Sequence, residues 1–298
     1  MAPIEVIVNA SGGNFVAGKT DEELRSAFDE QGVDINLRLP TGGEIDAAAR
    51  AAARSDADII VGCGGDGTLN TVAASAVPAG KTLGVIPFGT FNHFSKDLGI
   101  PQDILGAVAV ISAGKTRFID VGEVNGRTFI NNSSIGLYPR MVRKRLELQQ
   151  RLGRSKWSAA FLAALSTLRR DALFRVEIEL DGKIFTRKTP FVFVGNNEYA
   201  IELYKIGGRD RLDDGKLSVY IPRHGGRTGV WRIVLRTILG LLRPDREFES
   251  ICIDKLTINV RRPRVTVAFD GEIETMETPL RYCIKPGALS VLAPKEDG

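Results

Sequence analysis

The sequence predicts two domains, an α/β domain with a doubly wound parallel sheet followed by an antiparallel β domain. Up to about residue 125, apolar strand-like runs alternate with helix-like runs, which is typical of a parallel sheet covered by helices. Beyond it, strand-like runs follow one another, and tight turns such as Asn125-Gly126 and Asp181-Gly182 favour hairpins. The 298 residues are also too many for one ordinary small core. The expected domains are residues 1–125 and 126–298. Whether the last strand or strands return to the first domain is left open.

The elements of the first domain are read from the spacing of apolar residues. The helix that starts at Glu44 is rich in alanine, and the strand that starts at Ala57 leads directly into glycines. Ligands of such sheets bind at the carboxyl ends of the strands. The expected strands are Ile4–Asn9, Asp34–Leu39, Ala57–Gly62 and Leu83–Phe88, and the expected helices are Thr20–Gln31, Glu44–Asp56, a helix from Leu69 onward, and Asp103–Ala113.

The second domain is predicted from shorter runs, several of which alternate apolar and polar residues. Two helices interrupt these runs, at about Pro139–Arg170 and Thr228–Leu242. The expected strands are Thr116–Val124, Thr128–Ser134, Arg175–Leu180, Phe191–Gly195, Lys216–Ile221, Ser250–Val260, Arg264–Phe269 and Leu289–Ala293.

The composition is typical of a soluble globular protein, and the overall charge does not indicate binding to nucleic acid. Hydrophobic residues make up 43% of the chain and charged residues 26%, while the net charge is only +4. The three cysteines, Cys63, Cys252 and Cys283, lie far apart without zinc-site spacing, which indicates reduced thiols in a cytosol. The expected location is therefore cytoplasmic.

Membrane contact is expected to be peripheral. No signal peptide precedes the first strand, and the apolar stretch from Trp157 to Leu168 is shorter than the roughly 20 residues that span a bilayer. The two predicted helices of the second domain are basic and carry a Trp and a leucine face, which suits the anionic inner face of a membrane. A solvated helix that covers the β domain is an equally open interpretation.

The most informative motif is Gly64-Gly65-Asp66-Gly67-Thr68, which continues into Leu69-Asn70. It joins a strand to a helix, and glycines at a helix N-terminus present backbone N–H groups to an anion. Asp66 would repel a phosphate unless a cation lies between them, so the motif predicts a nucleotide phosphate with Mg²⁺. Phosphofructokinases and NAD kinases carry the same core, so the motif indicates a kinase without naming the acceptor. Thr68 is left open as a helix cap or a phosphate contact.

Three further segments carry candidate chemistry. Thr90 follows Gly89 and offers a hydroxyl and an N–H group to a phosphate, or it caps a helix. Asp270-Gly271-Glu272 follows a strand and supplies two acids for phosphoryl transfer, or it forms a hairpin turn with solvated acids. The acidic turn Arg211–Leu217 can hold a divalent cation, or it is only a turn.

These segments, together and in this order, resemble the diacylglycerol kinase catalytic-domain family, specifically its soluble bacterial lipid kinases. The resemblance rests on Asn9–Gly13, Gly64–Asn70, Pro87–Asn92 and Asp270–Glu272, and Asn131–Gly136 and Gly195–Asn197 resemble the family's second domain. It covers essentially the whole chain. It implies a Rossmann-like α/β nucleotide domain, an antiparallel β-sandwich domain and an active site in the cleft between them. Ala10 stands where the family usually has Pro, and His93 where it usually has Asp.

The resemblance also implies roles for single residues. Glu272 would accept the proton, with Asp270 beside it, and Asp66 would serve Mg²⁺. A second metal site would use the carboxylate of Asp214 and the carbonyls of Arg211 and Lys216. The residues expected to bind ATP are Asn9, Ala10, Ser11, Gly12, Gly13, Thr41, Gly64, Gly65, Asp66, Gly67, Thr68, Leu69, Asn70 and Thr90.

The expected function is an ATP- and Mg²⁺-dependent lipid kinase that phosphorylates a lipid hydroxyl in phospholipid biosynthesis. Its expected partner is a lipid at the membrane surface, without nucleic acid, and a homodimer is left open. The first alternative is a NAD kinase or another kinase of a soluble acceptor, and the second is a non-catalytic, nucleotide-gated membrane-binding module. The sequence does not name the lipid.

Overall fold

The structure is a computed structural model that describes residues 3–12, 15–89, 92–137, 139, 173–180, 182–202, 205–209, 211–223, 229, 232, 247–270 and 272–294. The predicted helices Pro139–Arg170 and Thr228–Leu242 lie almost entirely outside these residues. Within the described ranges, none of the helices has the length and apolar character needed to cross a membrane.

The chain divides into two compact units. The first unit contains Met1–Val121, Gly208–Asp214 and Lys285–Gly298, and the second contains Gly122–Gly207 and Gly215–Ile284. The helices are α1 (Lys19–Glu30), α2 (Ile45–Ala53), α3 (Asp66–Ala79), α4 (His93–Asp97) and α5 (Ile104–Ser112), with a 3₁₀ turn at Gly42–Glu44. The strands are β1 (Ile4–Val8), β2 (Ile35–Arg38), β3 (Ile59–Gly64), β4 (Thr82–Pro87), β5 (Thr116–Val124), β6 (Arg127–Phe129), β7 (Asn132–Gly136), β8 (Phe174–Leu180), β9 (Lys183–Thr189), β10 (Phe191–Asn196), β11 (Ala200–Glu202), β12 (Lys205–Gly208), β13 (Leu217–Pro222), β14 (Phe248–Ile253), β15 (Lys255–Val260), β16 (Arg264–Phe269), β17 (Glu272–Glu277) and β18 (Leu280–Leu292).

The first unit contains a parallel sheet, as the sequence predicts. Its strands run in the order β2-β1-β3-β4, with the last part of β18 beside β4. All of these neighbours pair in parallel, for example Val6 beside Val61 and Val291 beside Leu83. Several strand residues, such as Ile7, Ile60 and Leu83, are fully buried. These strands therefore have the continuous apolar character of a sheet covered on both faces.

Two glycines show that helices cover opposite faces of this sheet. A Cβ atom at Gly62 would lie 3.1 Å from the Leu69 side chain of α3. A Cβ atom at Gly84 would lie 2.8 Å from Val61 and 3.3 Å from Ile111 of α5. Because successive residues of a strand point to opposite faces, Val61 and Gly62 identify the two sides. The sheet is therefore doubly wound.

The second unit is an antiparallel β-sandwich. One sheet has the strand order β14-β13-β10-β7-β16-β17. The other contains the first part of β18, then β15, β8 and β9, together with the β5–β6 hairpin. Both sheets contribute to one hydrophobic core, which includes Val176 and Ile258 from the second sheet and Val194 and Val219 from the first. This arrangement confirms the predicted antiparallel domain.

Two predicted strands are each divided in two. The segment Thr128–Ser134 forms β6 and β7. The strand is interrupted because Ile130 and Asn131 donate their N–H groups to the Asp270 carboxylate rather than to a neighbouring strand. The segment Ser250–Val260 forms β14 and β15, which enter different sheets on either side of Asp254. A strand pattern alone does not report such changes of partner.

Several strands were not predicted from the sequence. The edge strand β9 is exposed at six of its seven residues, and β17 alternates acids with other residues, so neither shows a strong apolar run. The short strands β11 and β12 and the first part of β18 were also missed. The predicted turn Asn125-Gly126 does join β5 to β6, and both residues have a positive φ, +47° and +81°.

The pairing of Gly122 with Phe129 generates a prediction about stability. The two residues face each other between β5 and β6, and a Cβ atom at Gly122 would lie 2.2 Å from the Phe129 ring. Phe129 is fully buried, so the ring must be displaced. We expect Gly122→Ala to lower the free energy of unfolding by about 1–3 kcal/mol in urea titrations.

A double-mutant cycle with Phe129→Leu provides the control. The smaller leucine leaves room for the new methyl group, so the double variant should lose less than the sum of the single losses. Strictly additive losses would show that the Gly122–Phe129 contact does not limit this position.

Candidate functional site

The loop after β1 is tied to its neighbours by polar side chains. Asn9 Nδ2 donates to Thr68 Oγ1 of α3 at 3.0 Å, and Asn9 Oδ1 accepts the Ser11 N–H at 3.0 Å. Ser11 Oγ accepts the Gly42 N–H at 3.1 Å. Within the loop, the Gly12 N–H donates to the Asn9 carbonyl at 2.9 Å. The structure therefore brings three predicted segments together at the carboxyl end of the first unit's sheet.

Glycines allow the loops after β3 and β4 to touch. A Cβ atom at Gly64 would lie 2.6 Å from Thr68 Oγ1. A Cβ atom at Gly65 would lie 3.2 Å from the Gly89 Cα, and one at Gly89 would lie 2.6 Å from the Gly65 Cα. Because the close contacts at Gly65 and Gly89 involve backbone atoms, the loops could not approach this way with larger residues.

The N-terminus of α3 has the features of an anion site. Gly65 is the N-cap, and no side chain among the described residues caps the helix. Gly67 lies in the first turn and is half-buried. Asn70 is 2% exposed, and its Oδ1 atom is buried without a hydrogen-bond partner in the described part of the chain. The uncapped helix start fits a phosphate, and the Asn70 acceptor fits a ligand with a hydrogen-bond donor such as a sugar hydroxyl.

Asp66 holds the start of another helix. Its carboxylate accepts the His93 N–H at 3.2 Å and the Phe94 N–H at 3.0 Å, so it caps α4. This role was not predicted from the sequence, since 27 residues separate Asp66 from His93. An ionised carboxylate has about four acceptor positions, so these two bonds leave room for a cation.

Other predicted ATP-binding residues are differently placed. Leu69 is fully buried, its side chain faces Gly62, and its N–H donates to the Gly65 carbonyl. The Ala10 N–H donates to the Pro40 carbonyl at 3.0 Å. These contacts assign the Leu69 side chain to the core. Gly13 and Thr90 lie outside the described residues.

Thr41 is exposed and belongs to a capping box. Its hydroxyl and its N–H both donate to Glu44 Oε2, at 2.7 Å and 3.0 Å. These hydrogen bonds from Thr41 lower the pKa of the Glu44 carboxyl. Thr41 would have to give up its bond to Glu44 before its hydroxyl could donate to a ligand.

A buried ion pair lies just before the acidic turn Arg211–Leu217. Arg209 Nε contacts Asp97 Oδ2 at 2.8 Å, and the Arg209 N–H donates to the other carboxylate oxygen at 3.3 Å. Burial raises the pKa of the Asp97 carboxyl, and the Arg209 guanidinium opposes that rise. The Leu212 carbonyl accepts the Asp120 N–H at 2.8 Å. Sequence reasoning missed Asp97 and Arg209, because neither lies in a recognisable motif.

The predicted second metal site has competing partners. Arg211 Nε lies 3.2 Å from Asp214 Oδ1, and the Lys216 carbonyl accepts the Asn197 N–H at 2.9 Å. Within the described residues, no cluster of three or more His, Cys, Asp or Glu side chains could hold a metal ion. A cation bound here would depend on one carboxylate, on carbonyls and on water, as Mg²⁺ often does.

Asp270 of the second unit is a structural carboxylate. It directly follows β16, has φ +47° and is 6% exposed. Its oxygens accept the N–H groups of Ile130 at 2.6 Å, Asn131 at 2.9 Å and Asn132 at 2.8 Å. Asp270 thus fixes the connection between β6 and β7.

Glu272 occupies a different environment from Asp270. It is exposed, and it begins β17 opposite Phe269. The two acids therefore flank a hairpin turn, as one interpretation of the sequence held, but only Glu272 faces solvent.

The segments that carry the second-domain resemblance lie on neighbouring strands. Gly195 of β10 pairs with Asn132 of β7. Asn197 follows β10 with φ +65° and is fully buried, and both of its side-chain polar atoms lack partners among the described residues. Its carbonyl accepts the Ser218 hydroxyl at 2.6 Å. A buried amide of this kind fits a bound polar group, which here would lie within the second unit.

Two known sequence profiles match the chain. The sequence profile of the diacylglycerol kinase catalytic domain matches residues 3–124, and that of the YegS C-terminal NAD kinase beta sandwich-like domain matches residues 134–293. The chain therefore belongs to the diacylglycerol kinase catalytic-domain family.

Individual relatives support this membership. The diacylglycerol kinase of Bacillus subtilis (strain 168) is 29% identical over 301 aligned positions, which cover 99% of this chain and 98% of the relative. The diacylglycerol kinase of Staphylococcus aureus (strain JH9) is 31% identical over 60% of this chain and 57% of its own length. A diacylglycerol kinase structure from Bacillus anthracis str. Sterne has a TM-score of 0.69 at 22% identity, covering 98% of this chain and 97% of that chain. This structure is similar in fold.

The contrast between the two acids gives a stability prediction. We expect Asp270→Asn to lower the free energy of unfolding by about 1.5–3 kcal/mol, because an amide cannot accept all three N–H groups. Asparagine tolerates the left-handed backbone, so the change isolates the carboxylate. Glu272→Gln is the matched control and should change stability by less than about 0.5 kcal/mol. Equal effects of the two substitutions in urea titrations would contradict the structural role of Asp270.

Proposed function

We propose that the protein is an ATP-dependent kinase that transfers the γ-phosphate to the hydroxyl group of a lipid. At family level the relatives support a lipid kinase. The observation that carries the proposal for this chain is the uncapped N-terminus of α3, which begins in a glycine loop and has Asp66 in its first turn. Asp66 caps α4 with two of its acceptor positions, and the remaining positions would suit the cation that accompanies a nucleotide phosphate at this helix start.

The first unit would bind ATP at the carboxyl end of its sheet. The backbone N–H groups of Gly65–Thr68 would face the phosphates, with Asn9 and Ser11 holding the adjoining loop in place. Asn70 would offer its unpartnered Oδ1 atom to the nucleotide. Gly13, Thr41 and Thr90 complete the proposed set by resemblance.

Asp66 would hold Mg²⁺ with the acceptor positions that α4 leaves open. When bound, the ion would neutralise charge on the phosphates. Because Mg²⁺ keeps several waters and is bound through one or two carboxylates plus substrate phosphates, the residues present fit it without a cluster of acids. The turn with Arg211, Asp214 and Lys216 is proposed as a second cation site.

Glu272 would accept the proton of the lipid hydroxyl. It is exposed at the start of β17, so a lipid hydroxyl can approach it. Asp270 would act as a positioning residue, since its carboxylate is committed to three N–H groups. Glu272 is therefore the acid of the pair that can take part in general-base catalysis.

The protein would work in the cytoplasm, at the inner face of the membrane, in lipid metabolism. The basic segments that favour docking lie almost entirely outside the described residues, and their sequence alone supports this step. A kinase of a soluble acceptor such as NAD is the second candidate, because the profile that matches residues 134–293 is described as NAD kinase beta sandwich-like.

Replacing Glu272 tests the proposed base. We expect Glu272→Gln to lower kcat for transfer from ATP to a lipid extract by about 10²–10⁴-fold, because general-base catalysis contributes that much. ATP affinity, measured by calorimetry, should stay within about twofold. Transfer at the wild-type rate would exclude Glu272 as the base.

Glu277→Gln is the matched control for that experiment. Glu277 lies on the same strand, is exposed and contacts Arg264 at 3.4 Å, so the substitution makes the same chemical change. It should leave kcat within about twofold of wild type. An equal loss in both variants would indicate a general charge effect on this strand and would contradict the specific role of Glu272.

A further inference from the structure

A cavity opens between the edges of the two sheets of the second unit. The first sheet ends at β14, and the second ends at β9. The cavity has a volume of about 310 Å³ and lies against residues of β8, β9, β13 and β14. Ligand pockets for small molecules begin at roughly 300 Å³, so the space suits one slender chain.

The floor of this cavity is apolar. Its residues come from the inward faces of three strands and share aliphatic side chains without hydrogen-bonding groups. They are Ile178, Leu180, Ile221, Ile251 and Ile253. Ile178, Leu180, Ile221 and Ile253 also belong to the hydrophobic core of the second unit. The floor of the cavity is thus continuous with the core of the sandwich.

The strand register brings cations to the same cavity. Ile178 of β8 pairs with Phe185 of β9, and Leu180 pairs with Lys183, so these four side chains share one face. Arg187 lies two residues beyond Phe185 and points the same way. The residues of a strand that face the other sheet of a sandwich are ordinarily apolar. On this face β9 instead carries Lys183, Phe185 and Arg187.

The charges around the cavity do not balance. Among the described residues that line it, Lys183 and Arg187 are cationic and Glu249 is the acid, which leaves one net positive charge. Arg187 lies 3.9 Å from Glu249 and 6.0 Å from the centre of the Phe185 ring. Inward charges protect a sheet edge from pairing with other chains. That protection does not require an open apolar cavity beneath the charges.

We propose that this groove, lined by Lys183, Phe185, Arg187, Glu249 and the apolar floor, binds one acyl chain of an anionic lipid. The chain would lie on the isoleucines and Leu180, and Lys183 and Arg187 would contact the anionic headgroup. The groove borders β14, whereas Glu272 begins β17 at the opposite edge of the same sheet. Five strand spacings of about 4.8 Å separate the two, so the groove is an accessory lipid site. The proposal is independent of the proposed function.

Dodecyl phosphate, used below its micelle concentration, is the probe for this site. We expect saturable binding by calorimetry, and slower alkylation of Cys252, which is exposed and lines the groove. Cys63 is fully buried and serves as the internal reference for unfolding. Uncharged dodecyl maltoside should bind at least tenfold more weakly. Equal binding of the two amphiphiles, or unchanged Cys252 alkylation at saturation, would overturn the proposal.

Two matched double variants make the test specific. We expect Lys183→Ala with Arg187→Ala to weaken dodecyl phosphate binding at least tenfold. Arg175→Ala with Lys188→Ala removes the same charge from the outward face of the β8–β9 hairpin, where the two residues are cross-strand partners, and should bind within twofold of wild type. Equal affinities of the two variants would contradict the proposed headgroup contacts.

A groove-filling variant tests the acyl-chain position separately. Ile251 is half-buried at the floor, and Ile251→Trp should block the probe while leaving the thermal unfolding temperature close to that of wild type. Undiminished binding to a folded Ile251→Trp protein would show that the chain lies elsewhere.

Discussion

In each unit, a carboxylate that accepts main-chain N–H groups from a distant segment holds the candidate functional residues in place. In the first unit, Asp66 accepts two N–H groups at the start of α4. In the second, Asp270 accepts three N–H groups between β6 and β7. Hydrogen bonds to a charged acceptor contribute about 1.5–3 kcal/mol each, which is large against the marginal stability of a domain. These hydrogen bonds therefore hold the backbone at the start of α4 and between β6 and β7 in place.

The hydrogen bonds of Asp66 and Asp270 determine which acidic groups nearby can bind a cation or accept a proton. Asp66 retains acceptor positions for a cation because each of its oxygens accepts one of these two N–H groups, whereas the Asp270 carboxylate is 6% exposed and committed to its three donors. The backbone of Asp270 also turns through a left-handed conformation, which begins the hairpin that presents Glu272. The two acids of the segment Asp270-Gly271-Glu272 thus differ, because Asp270 is structural and Glu272 is exposed.

The sequence was informative where structure is local. The glycine loop, the parallel strands and the Asn125-Gly126 turn follow from neighbouring residues, so their patterns predicted them. The hydrogen bonds of Asp270 could not be predicted, because Asp270 and Ile130 are 140 residues apart. The break between β6 and β7 was missed because the pattern of Thr128–Ser134 resembles one strand. The edge strands β9 and β17 were missed because exposure leaves them polar. The inward positions of Lys183 and Arg187 on β9 follow from the register of β9 with β8, which the sequence does not give.

A competition between a lipid and NAD tests whether ATP donates its γ-phosphate to a lipid. The protein would be incubated with γ-labelled ATP, Mg²⁺, a bacterial lipid extract and NAD together, and the label would be followed through organic extraction. We expect the label to move into the organic phase and to run as a phosphorylated lipid. Label that remains in the aqueous phase, on NAD or as inorganic phosphate, would contradict it.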